Sequence, residues 1–255
     1  MKDIPQKTRK GWMRTAILAQ TTGVQGVLAF RNSILLLYLL SMGLSQTRVI
    51  AYISLWGVCN LLRIPAAFYS DRRGKKLFGI TGNWMCVAGY AVIAASGFAD
   101  SVFLREGIAV LGILIYSCGD ALFGAAWFPI LRPIVPEETR GRFFGKLRIS
   151  WQLAGLLFSG AVAWIIGKEG NTRVYQLIMA VITALLICRS YFYSKLPELE
   201  KSKEQKESFI SLFSKTFRIE NYASFSAYIF LLMIFSYNTP NLFAMVEKEI
   251  LKLNS

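Results

Sequence analysis

The stretch Ala67–Lys76, AFYSDRRGKK, decides how this chain is read. It gathers Asp71, Arg72, Arg73, Lys75 and Lys76 around a single Gly74, and a long apolar run lies on either side. Runs of about 20 apolar residues match the thickness of a bilayer. The stretch therefore reads as a tight cytoplasmic connection between two membrane spans. Gly74 permits a turn with positive φ that a side chain would resist. Asp71 suits the start of the following helix, where a carboxylate is favoured by about 0.3–1 kcal/mol.

Outward from that turn the chain stays apolar. Of its 255 residues 54% are hydrophobic and 17% charged, against about 25% charged in soluble proteins. Seven apolar runs can be drawn, near 15–41, 49–68, 77–98, 108–130, 143–166, 174–193 and 223–246. They lack the alternation of barrel strands, so the expected fold is all-α, a polytopic membrane helical bundle. Histidine is absent, which removes imidazole catalysis and His-metal sites. Cys59, Cys86, Cys118 and Cys188 each fall within an apolar run with no close-spaced pair, and they read as small apolar fillers. No cofactor and no metal site is expected. With Asp120 the one acid well inside a span, neither is an enzyme.

The net charge of +14 would point to nucleic acid if it stood alone, but its distribution points to lipid. With the N-terminus inside, 22 of the 29 Lys and Arg fall on the cytoplasmic side and 6 outside, leaving Arg31 within a span. Such an imbalance is the positive-inside pattern. The cations can sit against anionic headgroups of the inner leaflet, so nucleic acid is not needed as a partner. The expected location is the cell membrane, multi-pass, with a cytoplasmic N-terminus.

A second loop, Val135–Gly145, reads VPEETRGRFFG. Pro136 stops the preceding helix, Glu137 and Glu138 suit the first turn of the next, and Arg140 and Arg142 can pair with acids on neighbouring loops. Together the two loops resemble signatures of the major facilitator superfamily of secondary transporters. The first matches small-x-x-x-Asp-Arg-x-Gly-Lys-Lys between spans 2 and 3, and the second Pro-x-x-x-Arg-Gly-Arg between spans 4 and 5. The resemblance implies 3+3 inverted repeats, with the first and fourth spans lining a central cavity. It makes Asp71, Arg72, Gly74, Lys75 and Lys76 gating residues that brace the cytoplasmic gate, with Arg140 and Arg142 beside them. Three departures matter. Ala67 stands where a glycine is usual, no arginine precedes Arg132 in span 4, and span 5, ISWQLAGLLFSGAVAW, lacks the Gly-Pro signature of drug/proton antiporters.

Polar residues inside the spans mark the candidate pathway. An ionised side chain near the bilayer centre costs about 2.5–3.5 kcal/mol on insertion scales, so Arg31 and Asp120 are expected to face a partner or water. In span 1 Gln20 and Arg31 project within about 20° of each other, and Thr21, Gln25 and Asn32 form an adjoining stripe. Tyr116 lies one turn from Asp120. Span 5 aligns Arg148, Gln152, Gly155 and Ser159, and span 7 carries Asn238, Pro240 and Asn241. The expectation is that Arg31 and Asp120 form a cavity pair contacting solute or a coupling proton; a static pair that fixes helix packing is the competing reading.

Between spans 6 and 7 the composition turns polar and charge-alternating, PELEKSKEQKESF, which reads as a linker or surface helix. The expected organisation is a six-helix bundle over 1–196, a cytoplasmic linker over 197–222, and a seventh span over 223–255 opening an incomplete second bundle. The leading function is secondary transport of a small solute by a truncated or fragmentary family member. Its partners are the bilayer, a solute, a coupling proton or sodium ion, and a missing C-terminal half. The alternative is a seven-span receptor-like or non-transporting membrane protein. Against a receptor, the charge count sets the two termini opposite to that architecture, and no lysine between Ala223 and Val246 could hold retinal.

Overall fold

A computed structural model describes residues 5–31, 33–167, 171–200, 208–237, 239 and 243. The described residues are helical, with no strand among them. They divide into two compact units, Met1–Ser202 and Lys203–Ser255.

In the first unit the helices are α1 (Gln6–Arg31), α2 (Ile34–Ser41), α3 (Gln46–Cys59), α4 (Arg63–Arg73), α5 (Lys75–Ser96), α6 (Val102–Leu131), α7 (Arg140–Ile166) and α8 (Thr172–Ser194). α3 runs through a short 3₁₀ turn, Asn60–Leu62, into α4, so 46–73 is one continuous span of 28 residues. Among the described residues five helices are long and apolar enough to cross a membrane, or six if α1 and α2, bent by 57° at their break, are counted as one span. The expected first span is therefore broken. Ser33, at φ 63°, begins α2 in the left-handed region, which interrupts helical propagation.

α5 is the centre of the bundle. It packs along α6 on one side and α8 on the other; α1 leans on α8 and α7, and α3 and α4 lean on α6. The α5–α6 seam is built from glycines. A Cβ on Gly82 would stand 2.5 Å from the backbone N of Phe123, and one on Gly119 would stand 2.7 Å from the carbonyl of Gly82. Lipid tails are as apolar as leucine, so helices in a bilayer associate through close packing, and small residues supply it. Beside the seam, Tyr90 donates its hydroxyl to the Gly26 carbonyl at 2.5 Å, binding α5 to α1.

Two ends can be told apart. At one, Arg48 of α3 pairs with Glu106 of α6 at 3.0 Å, Tyr52 donates to the same carboxylate, and Thr172 donates to the Ser41 carbonyl at 2.8 Å. At the other lie the Gly74 turn, the 132–139 loop and the segment after α8. α7 is the peripheral helix. Leu153, Leu156, Leu157 and Trp164 point away from the bundle, as lipid-facing side chains should.

The second unit contains α9 (Phe209–Phe217) and α10 (Tyr222–Tyr237). Phe209, Phe213 and Phe217 stack at i, i+4 spacing along α9, with ring centroids 5.9 and 4.8 Å apart. Ser208 caps α9 by accepting from the Ser211 N–H. The expected seventh span begins in α10; Asn238, Pro240 and Asn241 lie outside the described residues, as does Asn32.

Candidate functional site: a cationic cleft

Asp120 sits in the middle of α6 and is 3% exposed. Its carboxylate accepts from the Arg63 guanidinium at 3.0 Å and from the Trp56 indole N–H at 3.2 Å. Asp120 is paired, then, but with Arg63 and not with Arg31. The reason is geometric. The span that holds Arg63 is unbroken from 46 to 73, which puts Arg63 about 15 Å, ten helical residues, short of the Gly74 end. Gly124, one turn beyond Asp120, clears the space: a Cβ there would meet the Arg63 guanidinium at 2.7–2.9 Å.

The pair opens on a cleft of about 520 Å³ between α1, α3–α4, α6, α7 and α8. Arg31, Arg63, Arg148 and Arg189 all line it, and Asp120 is the one acid among its lining residues. Arg31 and Arg148 make no ion pair among the described residues. Arg189 is the most constrained of the four. It is 2% exposed, its guanidinium lies 4.2 Å above the Phe123 ring, and its Nε and Nη2 are buried without a hydrogen-bond partner. It crosses over Gly23, where any side chain would collide with the Arg189 methylenes. Trp56, Trp127 and Trp151 supply much of the remaining wall.

A count of cations by side put Arg63, Arg148 and Arg189 with the loops, although each falls inside one of the apolar runs as drawn. The signal was present in those run boundaries. Small residues on facing helices, Gly23 and Gly124, carry the same message but can be matched to their arginines only once the fold is known.

Other expected pathway residues stand elsewhere. Tyr116 is fully buried in aromatic packing, stacked on Phe30 with centroids 4.9 Å apart and edge-on to Tyr90 at 4.8 Å. One turn separates it from Asp120, but that turn carries it behind α1 and α5 and away from the cleft. Gln25 is buried and donates back to the Thr21 carbonyl at 3.4 Å. Gln152 is exposed on α7, and its neighbours Trp151 and Arg148 face the cleft instead. Cys59 and Cys118, distant in sequence, lie with sulfurs 3.9 Å apart across α3 and α6, both free.

The Gly74 turn is tighter than a loop. Arg73 ends α4, Lys75 begins α5, and Gly74 alone joins them at φ 111°. Asp71 does not face the start of α5, because it belongs to the last turn of α4, where it pairs with Lys75 at 3.6 Å. Glu198, from the segment after α8, takes that place and accepts from the Lys75 backbone N–H at 2.6 Å. Glu200 meets the Lys75 ammonium at 2.7 Å. Arg72 stacks on Phe68, its guanidinium 4.2 Å from the ring centre. Arg140 pairs with Glu137 of its own loop at 3.4 Å. Arg142 makes no ion pair among the described residues; it lines a second cavity of about 390 Å³ with Lys10, Arg14 and Lys146.

Residues 12–254 match the family model of the Major Facilitator Superfamily. No curated protein and no solved structure matches the chain. A family match over nearly the whole length, on a bundle of membrane-length helices around a charged cleft, has one consequence: this chain is a multi-pass membrane protein that belongs to the Major Facilitator Superfamily, a family of membrane transporters and not of enzymes.

Proposed function

We propose that the chain carries out secondary active transport of a small solute by alternating access, with the cleft as its solute site. The observation that carries this reading is the Arg63–Asp120 pair at the cleft wall, well inside the spans 46–73 and 102–131 that carry it. Charges at that depth are costly in lipid and are kept where they serve a pathway. Asp120 is the one carboxylate among the cleft's described lining residues, so a coupling proton would reside there and release Arg63; a sodium ion would compete for the same oxygens. Rocking needs a second bundle across the cleft, as in the family.

The Gly74 end would be the cytoplasmic end, as the excess of Lys and Arg there supports, and the membrane would be the cell membrane. Asp71, Arg72, Gly74, Lys75 and Lys76 then act as a latch. With Glu198 and Glu200 holding Lys75, the segment after α8 is fastened to the gate. The test is reconstitution in liposomes, with currents recorded on rapid addition of a panel of small organic acids, amino acids, sugars and amines. At least one solute should give a current that Asp120→Asn and Arg63→Gln each abolish. Full currents from the double variant would refute the cleft as the pathway.

A further inference from the structure

The cleft holds four arginines against one carboxylate, and the carboxylate is already engaged. Arg189 lines the cleft but is 2% exposed, and its Nε and Nη2 are covered and have no hydrogen-bond partner. A guanidinium presents its N–H groups in a planar fork that fits a carboxylate or phosphate with two parallel hydrogen bonds. Arg31 and Arg148, which make no ion pair among the described residues, add to the same field. The rest of the wall is aromatic, with Trp127, Trp151 and Phe144 near the arginines. A cavity of this volume suits a compact organic molecule.

We infer that the solute is a small organic anion, with its carboxylate or phosphate among Arg31, Arg148 and Arg189 and its apolar or planar body against the cleft tryptophans. The inference rests on the transport reading above and gives it a substrate class. Uncharged Gly23 matters to it, since only a residue without a side chain lets Arg189 reach across α1. Arg63 stays with Asp120 and is not the anion's partner in this state.

Tryptophan fluorescence tests the inference, because Trp56, Trp127 and Trp151 line the cleft. The purified full chain in detergent is titrated with benzoate and phenyl phosphate as anions, benzamide as the neutral analogue and benzylammonium as the cation. At least one anion should quench saturably, with an affinity about tenfold or more above benzamide and benzylammonium. Arg189→Gln should lower that affinity about tenfold or more while leaving benzamide unchanged. Arg31→Gln, at an exposed position, gives a second variant should the first not fold, and should weaken the anions alone. If neither anion saturates, or if benzamide or benzylammonium binds as tightly, the inference is overturned. Anion binding with this pattern but no flux of any panel solute would defeat the transport reading and leave the anion site standing. Flux of neutral or cationic solutes with no anion binding would do the reverse.

Discussion

The α5–α6 seam and the cleft on the far face of α6 are made from the same kind of helix and solve opposite problems. The seam uses Gly82 and Gly119 to bring two backbones into contact. The cleft uses glycine for the opposite end. Gly23 and Gly124 make room for Arg189 and Arg63, whose bulk, with three tryptophans, keeps the helices apart. A glycine in a membrane helix therefore marks either a closed contact or a space reserved for a large neighbour.

The sharpest break of that comparison is Gly82→Leu. The atoms it would strike are backbone, which cannot rotate aside, so the cost should be about 4 kcal/mol or more. The expected outcome is loss of monodisperse protein in size-exclusion chromatography after detergent extraction. Gly160→Leu on α7, with nothing within 4 Å, should leave the profile unchanged.

Next in size is Asp120→Asn, which strips Arg63 of its counter-charge. Losing one partner of a fully buried pair costs about 3–5 kcal/mol. Arg63 is nearly half exposed, so about 1–3 kcal/mol is expected here, read as a fall in Tm. Adding Arg63→Gln should restore part of it; a double variant less stable than either single one would contradict the pairing.

A smaller effect is expected at the Gly74 turn. Glu198→Gln weakens the acceptor at the start of α5, a change of about 0.5–1 kcal/mol, and frees the segment after α8. Limited proteolysis within 195–202 should quicken while the α5–α6 seam stays protected. Asp71→Asn should do less, because its carboxylate is half exposed and its pair with Lys75 runs within adjoining turns.

The fold class was legible because it depends on the length and apolarity of runs, which are local. The Gly74 turn was legible for the same reason: one glycine between clustered charges is a local signal. The partner of Asp120 was not, since Arg63 lies 57 residues away and reaches it only after α3, α4 and α6 pack. Glu198 was hidden further still, 123 residues from the N–H it accepts. Tyr116 misled because helical spacing fixes the angle between two side chains, not which neighbouring helix covers each. The i, i+7 glycines at 82 and 89, and at 112 and 119, were visible in sequence, but spacing alone does not say that the two pairs face each other.

Thiol labelling compares the two regions within one molecule. With Cys59, Cys118 and Cys188 changed to serine, Cys86 reports on the seam, where it is fully buried, and Val27→Cys reports on the cleft. A water-soluble, membrane-impermeant methanethiosulfonate should modify residue 27 and spare Cys86, and a sulfonate-bearing reagent should outpace a trimethylammonium one at 27. Equal labelling of both positions, or no labelling at 27, would contradict a water-filled cationic pathway beside a dry glycine seam.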